Sequence, residues 1–421
     1  MIYNLAISLY ALAVRLASLF HKKARLMTQG HKEVYKKLQR EIDINAKYIW
    51  IHAASLGEFE QGRPLIERIK KQYPQFKILL TFFSPSGYEV RKNYELADTV
   101  CYLPFDRKRN VKKFIKLANP AMAIFIKYEF WFNYVNQLYK RNIPVYMVSA
   151  IFRPDQLFFK WYGQGSRNIL KYYKCICVQD ENSQKLLANI GINNVTVCGD
   201  TRFDRVNKIK QQAKELPLIE SFVSENSENK PKVLVAGSSW PKDEDIFISF
   251  FNNSSETKLI IAPHEIHESH LNYIEGLVKR PLIRYSQLEN NPTIDAGNFD
   301  CLIIDSIGKL SSIYRYGDIA YIGGGFGAGI HNVLEAAVYN IPVIFGPNFK
   351  KFREANELIV AGGGYPIQDE SSFRGLMEEF LQYPKMLTSA GNFAGEYVKS
   401  NSGVVSKVMD ILTPEIQSIT Q

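Results

Sequence analysis

Cysteine is scarce in this chain and poorly spaced for chemistry. Only five occur, Cys101, Cys175, Cys177, Cys198 and Cys301, an odd number with no C-x-x-C pair. That argues against a disulfide framework or a cysteine zinc site, and for a reducing compartment. Long uncharged apolar runs are also missing. The first twenty residues, MIYNLAISLYALAVRLASLF, barely reach spanning length and carry Arg15. They lack the basic start and small-residue cleavage site of a signal peptide. The chain holds no literal G-x-G-x-x-G and no internal repeat. Acidic residues are rare in one half: residues 1–200 hold 15 Asp and Glu against 31 Lys and Arg, and the remainder holds 27 against 21. A basic half joined to a mildly acidic one implies an anionic partner for the first, either nucleic acid or a phosphate-bearing lipid. No nucleic-acid-binding motif appears, which argues against the former.

What is present is a regular alternation of strands and helices. Apolar, β-branched strands are expected at 48–53, 77–82, 121–126, 144–149, 175–179 and 195–199, then at 232–237, 258–263, 301–305, 318–323 and 342–346. Amphipathic segments separate most of them, so the fold class is α/β, with parallel sheets covered on both faces. At 421 residues there is material for two doubly wound, Rossmann-like domains facing a central cleft. The expected division is a helix at 1–25, a domain at 26–206, a polar linker at 207–231, a second domain at 232–395 and a C-terminal helix at 396–421 that could pack back on the first domain. In the first segment Asn4, Ser8, Arg15 and Ser18 form a polar stripe at helical spacing, and HKKAR follows. An interfacial, membrane-contacting helix and a buried first helix both fit that pattern.

Doubly wound sheets present ligands at the carboxyl ends of their strands. In IHAASLGEFEQGRPLI (51–66), Glu58 lies at such a junction, where S-x-x-E also fits a helix-capping box. FIKYEFWFN (125–133) puts Glu129 just past a strand end, and CGDTRFD (198–204) puts Arg202 past another. A buried carboxylate needs a cleft or a partner. In the second half, YIGGGFGAGIHNVLEAA (321–337) ends a strand in glycines and leads into a helix at His331-Asn332, with Glu335 one turn in. Glycines let amides approach a phosphate, and a carboxylate can accept two ribose hydroxyls, although a purely structural turn has the same composition. DSIGKL (305–310) leaves another strand end. His264, His267 and His270 invite a metal reading, but no acidic or cysteine partner is evident and solvated histidines account for them. Asp243-Glu244-Asp245 match a D-x-D, but they open a helix, where acids complement the dipole. No metal and no cofactor is expected.

WIHAASLGEFEQGRPLI, KYEFWFN, GDTRFD, AGSSWPKDED, DSIGKLSSIYRYGDIAYIGGG, HNVLEAA and PVIFGP, in this order, resemble the 3-deoxy-D-manno-octulosonic acid (Kdo) transferases of lipopolysaccharide synthesis. The resemblance runs from the N-terminal apolar helix to about residue 370. It implies a GT-B fold and an inverting glycosyltransferase that uses CMP-Kdo as donor and a lipid A precursor of the lipid IVA type as acceptor. It also implies work on an anionic surface, the cytoplasmic face of the inner membrane. By the resemblance Glu58 is the general base, and Glu129 and Arg202 stabilise the transition state. Pro263, His264, Ile307, Gly308, Lys309, Asn332, Val333, Leu334 and Glu335 meet the nucleotide. Three positions depart from the family pattern: Arg202 replaces a lysine, Lys127 the first carboxylate of Glu-x-Glu, and His264 an arginine. The competing readings are another GT-B glycosyltransferase or a sugar-nucleotide epimerase using a UDP-sugar, and a non-catalytic membrane- or nucleic-acid-binding protein.

Overall fold

Each apolar strand expected from the sequence forms in the computed structural model, which describes residues 2–224 and 230–420. Part of the expected linker, 225–229, lies outside the described residues. The chain divides into two compact units. One comprises residues up to Arg205 together with those from Gly403 onward; the other is Val206–Ser402.

The first unit is built on strands β1 (Tyr48–Ala53), β2 (Lys77–Phe82), β3 (Thr99–Tyr102), β4 (Pro120–Ile126), β5 (Val145–Ala150), β6 (Cys175–Val178) and β7 (Val195–Val197). They form one parallel sheet in the order β3-β2-β1-β4-β5-β6-β7. The strand order reverses between β1 and β4, and that switch point is where such sheets bind ligands. Every residue of β1 is buried. Tyr48 and Trp50 face one apolar cluster while Ile49 and Ile51 face the other, as a sheet covered on both sides requires. Trp50 packs on Phe114, Phe125 and Tyr134 at 5.1–5.6 Å. The second cluster is completed by the C-terminal helix Val404–Thr420, whose Val404, Val408, Leu412 and Ile416 recur at helical spacing and are buried.

The N-terminal segment is two helices rather than one reaching residue 25. Helix α1 (Ile2–Ala17) stops, and α2 (Lys22–Glu41) leaves at 117° to it. The Arg25 side chain bonds the carbonyls of Ser18 and Leu19, fixing the break. HKKAR therefore mostly opens α2 rather than extending α1. Among the described residues no single helix is long and apolar enough to cross a membrane, although this bent pair matches a span in length and composition. The polar stripe of α1 turns inward only at its start: Asn4 accepts a bond from Asn133 at 2.8 Å and the Ser8 backbone carbonyl accepts one from Arg107, while Arg15 is exposed. Leu5, Leu9, Leu12, Leu16, Leu19 and Phe20 are left exposed, so of the two readings of the first helix the buried one does not hold.

The second unit carries β8 (Lys232–Ser239), β9 (Thr257–Pro263), β10 (Leu282–Arg284), β11 (Cys301–Ile303), β12 (Ile319–Ile322), β13 (Val343–Phe345) and β14 (Gly364–Pro366). They form a parallel sheet in the order β10-β11-β9-β8-β12-β13-β14, with the switch point between β8 and β12. Over its described residues the segment expected as a linker contains the end of a helix (Arg202–Gln211) and all of another (Pro217–Val223), whose Ile219 and Phe222 are buried.

Candidate functional site

At the first switch point, Glu58 and Glu129 leave the ends of β1 and β4. Glu58 is in the first turn of α3 (Leu56–Gln72), a helix anchored by buried Phe59, Leu65, Ile66 and Ile69. The capping box that S-x-x-E permits is not made. Ser55 caps no backbone amide; its hydroxyl donates instead to the Glu58 carboxylate. That carboxylate is partly exposed. Glu129 accepts a bond from the Trp131 indole at 2.6 Å and lies 3.4 Å from His52 Nε2. Behind it runs a buried polar line: Trp50 Nε1 donates to the Thr81 hydroxyl at 2.8 Å, and that hydroxyl meets His52 Nδ1 at 2.9 Å.

Lys127 and Ser149, at the ends of β4 and β5, hold φ of 71° and 56°. Non-glycine residues there cost about 1–3 kcal/mol each, and such strain concentrates where a site over-determines the backbone.

Arg202 is not a free cation. Its guanidinium bonds Asp200 at 2.7 and 2.9 Å, and its own amide bonds the same carboxylate. Burial would raise the Asp200 carboxyl, but the Arg202 charge, with bonds from Arg202 and Gln61, outweighs it and holds the group below the usual range. Gln61 belongs to α3, one turn beyond Glu58, and its carbonyl also accepts from the Thr201 hydroxyl. The helix bearing Glu58 is thus tied to the segment bearing Arg202, and the β1 histidine to Glu129. His52, Trp131 and Asp200 were not singled out from sequence. Their signal is a polar residue inside an otherwise apolar strand, or beside a charged residue already suspected.

Helix α1 reaches this region too. Its Tyr3 hydroxyl donates to Asp106 at 2.5 Å, and Asp106 also accepts the amides of Asn133 and Tyr134. Burial pushes Asp106 up to about 6, against those bonds, which lower it. Tyr10 stacks on Phe83, which lies 4.7 Å from Trp131.

At the second switch point the first two acids of the triplet, Asp243 and Glu244, are spent on structure, while Asp245 is exposed. Asp243 is buried and accepts from Tyr321 hydroxyl at 2.9 Å, Gly324 amide at 2.8 Å and Trp240 amide at 3.0 Å. Glu244 pairs with the Ser239 hydroxyl and His270, and Asp245 with the Tyr273 hydroxyl. The reading of three solvated histidines fits His264 and His267, which are exposed, and fails for His270. His270 is nearly buried against Glu244, and His264 stacks between Trp240 at 4.7 Å and His331 at 4.5 Å. Burial, then the neighbouring His264 charge, lowers the His331 pKa. Among the described residues no group of His, Cys, Asp and Glu has metal-holding geometry.

The glycine run has a packing reason of its own. A Cβ on Gly323 would lie 2.2 Å from the Ser238 carbonyl, and one on Gly325 would lie 2.5 Å from the Gly346 amide. The helix expected from His331 is a single turn, Leu334–Ala337, because Asn332 turns back to accept the Leu334 amide and the chain reverses at Asn340 (φ 63°). One turn has too few aligned amides to serve as a phosphate-binding helix start. Asn332 also donates to Glu335 at 3.0 Å. Val333 and Leu334 side chains are buried, so only their backbone could meet a ligand, whereas Ile307 is exposed. Lys309 lies over the Tyr285 ring, near Ser306 and Glu289. Pro263 is buried at the end of β9, opposite Ser239. A cavity of about 600 Å³ opens between Ala328 and Asn348–Lys351, lined by none of the expected nucleotide residues.

A family model described as 3-deoxy-D-manno-octulosonic-acid transferase (kdotransferase) matches residues 23–205. The chain is 26% identical over 395 residues to the 3-deoxy-D-manno-octulosonic acid transferase of Haemophilus influenzae, covering 88% of this chain and 87% of that one. It is 30% identical over 323 residues to the enzyme of the same name from Rickettsia felis, covering 75% and 67%. Among solved structures, UDP-GlcNAc 2-epimerase from Neisseria meningitidis superposes with a TM-score of 0.61 at 14% identity, over 87% of this chain and all of that one. MurG of Acinetobacter baumannii does so at 0.55 and 11%, over 87% and 99%. At such identities the likeness establishes the fold, of GT-B type, and nothing about substrate.

Proposed function

Because the chain belongs to the 3-deoxy-D-manno-octulosonic-acid transferase family, and is therefore a glycosyltransferase, we propose that it moves Kdo from CMP-Kdo to a hydroxyl of a lipid A precursor of the lipid IVA type. The observation that carries the proposal is the Glu58 carboxylate. It stands at the switch point of the first sheet, partly exposed and held by a hydroxyl rather than consumed by a helix cap. An acceptor hydroxyl ionises far above neutral pH, so its proton must leave as the new C–O bond forms, and a positioned carboxylate can take it. Glu58 is the base in this reading, with inversion in a single displacement and no covalent intermediate.

Glu129 and Arg202 act beside it. Glu129, bridged by Trp131 and near His52, would stabilise charge at the reacting sugar. Arg202 would serve from its Asp200 pairing, so its role is oriented charge more than a mobile cation. In the second unit, Gly308, Lys309, Asn332 and Glu335, with the backbone of Val333 and Leu334, would hold CMP, and His264 with Pro263 would flank it. Stacked His264 offers a flat face and a ring nitrogen where the family's arginine would offer a fork. No metal enters this scheme, since Asp243 and Glu244 are buried and their oxygens are taken by protein donors.

The acceptor is a lipid, and α1 fits a lipid surface: its Asn4 bonds Asn133, its leucines face outward and Arg15 is exposed beside them. We therefore place the protein at the cytoplasmic face of the inner membrane, with no nucleic-acid role. Incubation with CMP-Kdo and a lipid A precursor, followed by mass spectrometry of the lipid, tests the proposal. A gain of Kdo with release of CMP is expected. Transfer from a UDP-sugar in its place would replace the donor assignment.

A further inference from the structure

The stretch after β5, Ile151–Tyr172, places its hydrophobic residues against the usual rule. Trp161 is 89% exposed, Tyr162 62% and Leu157 48%. Single exposed apolar residues are ordinary, but an indole, a phenol and a leucyl group within six positions are a patch. The backbone that carries them is firmly built. Phe158 points inward onto Phe130, ring centres 4.7 Å apart, and Phe152 packs beside it. Arg167 bonds the Phe158 carbonyl at 2.7 Å and the Lys160 carbonyl at 3.0 Å. Gly163 closes the turn where a Cβ would lie 1.8 Å from the Leu157 carbonyl. A loop held by a buried ring, a guanidinium and an obligatory glycine presents Trp161 by construction.

Its position and charge point to one occupant. Phe130, on which it rests, is the neighbour of Glu129, so the patch flanks the candidate catalytic carboxylate at the carboxyl edge of the first sheet. Helix α1 lies along the same edge: its inward face meets Phe83, Phe105, Asp106 and Asn133, which follow β2, β3 and β4. The loop holds Arg153, Lys160, Arg167 and Lys171 against a single acid, Asp155. Trp and Tyr with an apolar body and one polar tip settle at the headgroup boundary, and adjacent cations favour anionic lipid. We infer that Leu157, Trp161 and Tyr162 form a second membrane-docking element, inserting into the headgroup–acyl boundary of an anionic bilayer beside the site. The inference rests on the reading that the acceptor is a bilayer lipid, and it supplies a second contact, fixing the orientation that one helix leaves free to roll.

The test uses the full chain and vesicles of phosphatidylcholine with phosphatidylglycerol, part of it brominated on the acyl chains. Bromine quenches only indoles that reach the acyl region. Emission of the wild type is expected to shift to shorter wavelength and be quenched, and Trp161→Phe to lose most of the quenching while still sedimenting with vesicles through α1. The pair Trp161→Ala with Tyr162→Ala should weaken vesicle partition about tenfold, with an unchanged circular-dichroism melt. Equal quenching in wild type and Trp161→Phe overturns the inference, as does equal partition into pure phosphatidylcholine. A dimer in sedimentation equilibrium that the double variant abolishes would assign the patch to a second copy instead. None of these readouts requires turnover, so failure of the transferase proposal would be seen separately.

Discussion

The two sheets reverse strand order in the same way, and each puts carboxylates at the reversal, yet the carboxylates differ in what surrounds them. At the first, Glu58 and Glu129 are partly exposed and each is held by a single neutral side-chain donor, Ser55 or Trp131, with His52 near Glu129. At the second, Asp243 and Glu244 are buried and their oxygens are taken by amides, hydroxyls and an imidazole. A carboxylate with unfinished hydrogen bonding can accept a proton from a substrate. One that is saturated and buried holds the chain that donates to it. The contrast predicts opposite consequences of removing charge at the two places. At Glu58, Glu58→Gln keeps the shape and the Ser55 contact but cannot take a proton. Turnover of CMP-Kdo should fall about a thousandfold, on the order of 4 kcal/mol of barrier, with an unchanged melt and unchanged CMP affinity. Near-normal turnover would mean that its partial exposure is incidental.

The converse at the second sheet is Asp243→Ala. It strands the Gly324 and Trp240 amides and the Tyr321 hydroxyl in a buried place, and should cost about 3 kcal/mol of unfolding free energy in a urea titration. Chelator should leave both stability and turnover alone. A strict divalent-cation requirement would restore the D-x-D reading and remove the contrast.

A third case sharpens it within the first unit. Asp106 and Asp200 are both buried, but only Asp200 has a guanidinium, and their carboxyls shift in opposite directions. Asp106, raised to about 6, holds its proton in the folded chain where the unfolded chain has lost it. Stability linked to this proton is therefore fully present below the unfolded value near 4 and is lost as pH rises through 6. Relative to Asp106→Asn, which has no such proton, the wild type should lose about 2 kcal/mol between pH 4 and pH 6.5. Paired denaturant titrations across that range check it. A difference that stays flat with pH would show that its three donors compensate burial completely.

Much of this was legible in the sequence, and the parts that were not share a cause. Central strands such as Tyr48–Ala53 read clearly because both faces are apolar. The strands missed, Thr99–Tyr102, Leu282–Arg284 and Gly364–Pro366, are four or three residues long and sit at or next to sheet edges, where pairing rather than pattern makes a strand. Glu58 and Glu129 could be found because strand ends carry ligands. His52 could not be joined to Glu129, nor Asp200 to Gln61, because each pair is brought together by the crossover of strands far apart in sequence. The triplet at 243–245 was ambiguous for the same reason: its partners Tyr321, Gly324 and His270 lie elsewhere in the chain. The glycine run suggested a ligand, while the structure also gives it a packing duty between strand ends.

The smallest expected effect concerns Glu335, the carboxylate expected at the nucleotide in the second unit. Glu335 is partly exposed, and Asn332 donates to it at 3.0 Å as one of its contacts. If Glu335 meets the nucleotide, it should hold the ribose of CMP through charge-assisted bonds to its hydroxyls. Glu335→Ala should then weaken CMP binding by about 1–2 kcal/mol, a five- to thirtyfold rise in Kd by titration calorimetry. Glu335→Gln keeps the Asn332 contact and one acceptor oxygen, so it should recover part of that loss. A structural role would give another pattern. Glu335→Ala would lower the melt of the unit, because Asn332 also bonds the Leu334 amide, and CMP affinity would be unchanged in whatever remained folded. Equal CMP affinity in all three proteins, with an intact melt, would remove Glu335 from the nucleotide site.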